Sequence, residues 1–86
     1  MTTTESRTPD QMYHPISCDV YSRLELAIMH RERLRLTWRE GNVFFAQLIL
    51  PTDLETCAGE EFLHCRLPSG EKARIRLDHI DRMEPA

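Results

Sequence analysis

From Asp19 onward the apolar residues Val20, Leu24, Ala27 and Ile28 fall at i, i+4, i+7 and i+8, which makes one stripe of an α-helix. The spacing predicts a helix over 19–30, with oxygens from Ser17 and Asp19 at its start and basic charge from His30 and Arg31 at its end. The period then drops to two. Leu34, Leu36 and Trp38 alternate with Arg33, Arg35, Thr37 and Arg39, as in a half-buried strand. Glu40-Gly41-Asn42 supplies a tight turn, and 43–50 continue as a second strand with apolar residues on both parities. Phe44, Ala46, Leu48 and Leu50 share one face, while Val43, Phe45 and Ile49 leave the other apolar too. A strand covered on both sides, or bent through a barrel wall, accounts for that. Pro51 is expected to stop it, leaving 52–59 as a polar, acidic connection.

A third strand follows over 62–67 with Leu63, Cys65 and Leu67 inward, and Pro68-Ser69-Gly70 marks a turn. The fourth, over 72–77, turns Ala73, Ile75 and Leu77 inward and Lys72, Arg74 and Arg76 outward. Asp78-His79 interrupts the alternation, which resumes over 80–83 as a short fifth strand. Residues 1–12 carry no apolar period and read as a disordered tail, so that 13–86 form a single domain. Tyr13, Pro15 and Ile16 make a small apolar cluster suited to an extended segment laid across that domain. The expected fold is mainly β with one N-terminal helix: a small, bent five-stranded barrel or sandwich (α+β), with the helix covering an open end.

Composition narrows the partners. In 86 residues there is room for one core, and no apolar run approaches the ~20 residues of a membrane helix. No signal-peptide pattern opens the chain, so a cytoplasmic location is expected, with no membrane association. Cys18, Cys57 and Cys65 are odd in number and widely spaced, which fits reduced thiols better than disulfides or a zinc ribbon. A formal net charge of −3 argues against binding nucleic acid through bulk charge and suits a basic protein partner. The charge is unevenly placed: His30, Arg31, Arg33, Arg35 and Arg39 make a basic zone, and Asp53, Glu55, Glu60 and Glu61 an acidic one.

No catalytic constellation stands out. His14, His30, His64 and His79 fall in different elements, and no nucleophile elbow, zinc-protease or phosphate-loop motif is present. Asp78-His79 is the one acid/base pair in sequence, but neighbours on a strand-linking turn are expected to point apart, so neither enzymatic activity nor a cofactor is anticipated. His14 and Cys18 have the spacing of metal ligands but are only two, so no metal site is expected. Arg33, Arg35 and Arg39 read either as an RNA-binding strand face or as a solvated face whose cations guard a sheet edge. Trp38 has core parity and is not available there as a stacking platform. The acidic connection is either a solvent loop or a docking surface for a basic partner, and Tyr13 and Tyr21 beside Asp19 either pack the helix or belong to a protein-binding surface. A monomer is expected, with Val43, Phe45 and Ile49 keeping a ring-forming oligomer open.

The pattern Tyr13-x-Pro15-Ile16-x-Cys18-Asp19-x-Tyr21-x-x-Leu24-Glu25-Leu26-Ala27 resembles the start of the Rof (YaeO) family of bacterial Rho-binding antiterminators. Glu40-Gly41, Ala46, Gly70-Glu71 and Leu77-Asp78-x-Ile80 are similar to the family as well, so the likeness runs from Tyr13 to Met83. It implies an Sm-like fold and a non-enzymatic inhibitor of Rho-dependent transcription termination, which binds Rho at its primary RNA-binding domain and blocks RNA loading. Asp19, Tyr21 and Glu25 are the helix residues that match, with Tyr13 and Ser22 beside them. Val20, Ser22 and Arg23 stand where relatives tend to carry carboxylates, so Asp53, Glu55, Glu60 and Glu61 are expected to share the contact with Rho. An acidic surface of this kind occupies an RNA site as a phosphate mimic.

Overall fold

Helix α1 (Cys18–His30) begins where Ser17 turns extended and its Oγ accepts the Val20 N–H at 3.3 Å, with Asp19 in the first turn against the positive end of the helix. The coordinates are a computed structural model that describes residues 14–86; the expected tail and Tyr13 lie outside the described residues. At the far end Arg31 takes a left-handed conformation (φ 54°), and the Arg31 and Glu32 N–H groups donate to the Ile28 and Ala27 carbonyls at 3.3 and 2.9 Å. That closure normally uses glycine, because a Cβ in this region costs about 1 kcal/mol. Arg31→Gly is therefore expected to raise the unfolding free energy by about 0.5–1 kcal/mol, read as a higher denaturant midpoint.

Five strands follow: β1 (Leu34–Glu40), β2 (Val43–Cys57), β3 (Glu60–Arg66), β4 (Lys72–Arg76) and β5 (Ile80–Pro85), with a 3-10 turn (Leu77–His79) between the last two. All pairings are antiparallel, and the strand order is β4-β3-β2-β1-β5. The sheet is bent and barrel-like because β2 serves both halves. Its first part pairs with β1 as far as Ile49, and its second pairs with β3 from Leu50 onward.

This corrects two expectations. Pro51 does not stop β2, which runs through it to Cys57; the register slips between Pro51 and Asp53, and Thr52 Oγ1 donates to the His64 carbonyl at 3.0 Å. A proline is tolerated at such a bulge, where an N–H is not required, and the bulge bends the strand. The acidic stretch is consequently a strand and not a connecting loop. The turn itself shrinks to Ala58-Gly59, both at positive φ (53° and 80°), as a two-residue hairpin of type I′ requires.

The core joins Leu24 and Ala27 of α1 to Leu34, Leu36 and Trp38 of β1, Ile49 of β2, Leu63 and Cys65 of β3, Ile75 of β4, and Leu77. Burial pushes the Cys65 thiol up to about 11, and all three cysteines are free thiols. Trp38 stacks on Phe45 with ring centroids 5.5 Å apart, and its indole N–H donates to Glu40 Oε2 at 3.2 Å. Phe45 and Ile49, which had kept a ring open, thus belong inside the domain.

The fourth strand departs from its expected alternation at one end. The Arg76 side chain is only 11% exposed, drawn in by Asp78, itself 4% exposed. The guanidinium donates from Nε to Oδ1 and from Nη2 to Oδ2, both at 2.6 Å. Asp78 Oδ2 also accepts the backbone N–H of His14 at 2.9 Å, tying the entry to α1 to the turn before β5. Asp78 and His79 do not point apart as expected, since the one-turn helix brings His79 Nε2 within 3.9 Å of Asp78 Oδ1.

Candidate functional site

The stripe that buries Leu24 and Ala27 leaves Cys18, Asp19, Ser22 and Glu25 exposed along the opposite face of α1. Tyr21 lies on the border, half-buried against the core cluster. Burial, then the charges of Glu61 and Glu25, hold its hydroxyl above the usual tyrosine range. Its ring packs the helix onto the core, and its hydroxyl lies in the field of two carboxylates. Ile16, Cys18, Tyr21, Ser22 and Glu61 line a shallow cleft of about 320 Å³ between α1 and the start of β3. By helical geometry Asp19 sits on the far flank of the exposed ridge, sharing it with Arg23 four residues on.

The acidic residues expected to act together are divided between two surfaces. Glu61 shares the parity of Leu63 and Cys65 and so faces the helix side of β3. Asp53, Glu55 and Glu60 belong to the outer face of β2 and β3, with Phe62 and His64. Two of these three carboxylates are held by cations from other elements. Glu55 Oε1 meets His64 Nε2 at 2.6 Å and accepts from Arg74 Nε at 3.3 Å, and Glu60 Oε2 accepts from Arg76 at 3.4 Å. The hydrogen bond with His64, followed by the charge of Arg74, outweighs partial burial and keeps the Glu55 carboxyl below its usual range. Arg74 also lies over the Phe62 ring, 3.7 Å from its centroid. Asp53 turns its Oδ1 to the N–H of Leu54 at 2.9 Å. The sequence shows no base within the acidic run, yet the fold supplies three from β3 and β4.

Ile16 and Cys18 were not among the expected site residues, although both line the cleft; the period-two parity of Glu61 was the available signal for it. Arg35 is exposed and Arg39 half-buried on the outer face of β1, and Arg33 is exposed just before the strand begins. That strand lies between β2 and β5, so its arginines guard no sheet edge. Among the described residues, no three metal-ligating side chains converge, and no helix is long and apolar enough to cross a membrane.

Residues 15–86 match the model of a family described as a modulator of Rho-dependent transcription termination, ROF. The chain belongs to the Rof family. Within that family it is 37% identical to Protein rof of Escherichia coli (strain K12) over 68 residues, 79% of this chain and 76% of the relative. Protein rof of Shigella flexneri gives the same figures. The Rof family acts in the modulation of Rho-dependent termination, and its fold is found elsewhere. The proteasome accessory factor B/C of Arthrobacter aurescens aligns with 84% of this chain at a TM-score of 0.72. Its sequence identity is 17%, and the match spans 12% of that much longer chain, so the likeness is one of fold.

Proposed function

We propose that this Rof-family protein is a non-enzymatic cytoplasmic inhibitor that binds Rho directly, as a monomer, at the primary RNA-binding domain, and so blocks RNA loading. The observation that carries the reading is the convergence of Tyr21, Glu25 and Glu61 beside the exposed Ser22. A surface that pairs tyrosine with carboxylates complements a site built of cations and aromatic groups for single-stranded RNA. Asp19 adds charge from the other flank of α1. Asp53, Glu55 and Glu60 form a second acidic surface whose charge is offset by Arg74 and Arg76, and they contribute less to the contact.

The test is a binding titration of purified Rho with RNA as competitor. Glu25→Lys and Glu61→Lys are each expected to weaken the complex at least about tenfold, equivalent to about 1.4 kcal/mol, with smaller losses for Asp19→Lys and Glu55→Gln. Added salt weakens the complex and RNA displaces it. Wild-type affinity in both the Glu25 and Glu61 variants would reject the site, and absence of a complex at low salt would reject the function.

A further inference from the structure

On the outer face of β5-β1-β2 the ladder brings three rows of side chains together. Phe44 stands beside Arg39, Ala46 beside Thr37 and Arg82, and Leu48 beside Arg35 and Glu84. Phe44 is 61% exposed, and Arg35 and Arg82 are exposed with it. Among the described residues no ion pair engages Arg33, Arg35 or Arg82, whereas Arg74 and Arg76 are both committed to internal carboxylates. The paired positions of these rows hold three arginines against the single carboxylate Glu84. The basic patch therefore sits on a chain whose net charge is −3.

Two physical points decide what such a face fits. Arginines at alternate positions are commonly a defence of an exposed edge, but β1 is hydrogen-bonded on both sides and has no edge to defend. The aromatic platform that Trp38 denies to this face, by packing in the core, is provided by Phe44 from the next strand. An exposed aromatic ring beside guanidinium groups stacks bases without regard to sequence, while the cations meet phosphates. The single strand present where Rho-dependent termination is modulated is the transcript.

We propose that the outer face of β5-β1-β2 binds single-stranded RNA, with a base stacked on Phe44 and phosphates held by Arg35, Arg39 and Arg82. Arg35 and Arg39, four residues apart on one strand, span roughly 13 Å of the strip. The face lies on the sheet, apart from the cleft of Tyr21 and Glu61, and its binding of RNA does not depend on Rho.

The test is fluorescence anisotropy of a short labelled oligouridine RNA titrated with the full chain in the absence of Rho. Binding is expected at low salt, with a log–log salt slope near −2 if about three phosphates are neutralised. Phe44→Ala should weaken it about tenfold and the Arg35→Glu/Arg82→Glu pair should abolish it, with circular dichroism showing both variants folded. Lys72→Glu, on β4, should bind as the parent does. No RNA binding at low salt overturns the proposal, as does equal binding by the Phe44 and double-arginine variants. Binding of polyglutamate with no binding of RNA also overturns it, in favour of an acidic protein partner.

Discussion

Asp78→Ala is expected to lower the free energy of unfolding by about 3 kcal/mol, a loss near 15 °C in Tm for a domain of this size. The reason is what Asp78 leaves behind. Arg76 is 11% exposed, and without the carboxylate its guanidinium would lose two short hydrogen bonds in a site too dry to hydrate it. The His14 N–H would lose its acceptor as well, loosening the segment that leads into α1. Thermal unfolding by circular dichroism measures the effect, and Asp78→Asn, which retains an oxygen acceptor, should lose less. A variant that unfolds within a degree or two of the parent would show that the Asp78 network carries little of the stability.

The same group sets a pH dependence. Burial alone would push the Asp78 carboxyl up, but hydrogen bonds from Arg76 and His14, with the charges of Arg76 and His79, hold it below the usual 3.8. A depressed folded-state value means that the unfolded chain takes up the proton first. The stabilisation is therefore complete above about pH 3.8 and is lost as the pH falls through the folded value. Asp78→Asn should lack this acid limb while sharing the parent's behaviour near neutrality in shape, offset by a constant amount. Denaturant midpoints across that acid range distinguish the two curves.

Leu24→Ala is the second large effect, expected at about 3 kcal/mol from lost burial and the cavity left behind. Leu24 is fully buried, and with Ala27 it forms the fully buried part of the α1 stripe. Loosening it should release α1 from the sheet, and the binding of Rho should fall with helix content even though no surface residue has changed. Leu26→Ala, two residues on and 50% exposed, should leave stability within about 0.5 kcal/mol and spare Rho binding. Equal losses in the two variants would contradict the assignment of the buried stripe.

The sequence was most legible where one face of an element meets water and the other meets the core. The i, i+4, i+7 spacing located α1 within a residue of its observed start, and the alternation of Leu34, Leu36 and Trp38 located β1. Legibility failed at Pro51, because a proline's meaning depends on whether its N–H is wanted, and that is settled by the partner strand and its bulge. It failed again at Arg76, whose outward parity was overridden by a short turn that places Asp78 under it.

The candidate site shows the same division. The apolar and polar periods by themselves determined a helix followed by five strands, the buried face of α1, and the core parity of Trp38, since local burial imprints a period on the chain. The tertiary structure alone decided which charges remain available to a partner. Glu55 and Glu60 find partners on β3 and β4, up to 19 residues away in sequence, while Glu61 lines the cleft with Tyr21. It also placed Phe44 beside Arg39, and gave β1 a neighbour on each side. Charge acts through space and has no period along the chain, so an acidic run and a basic run acquire their meaning when the sheet folds and assigns their neighbours.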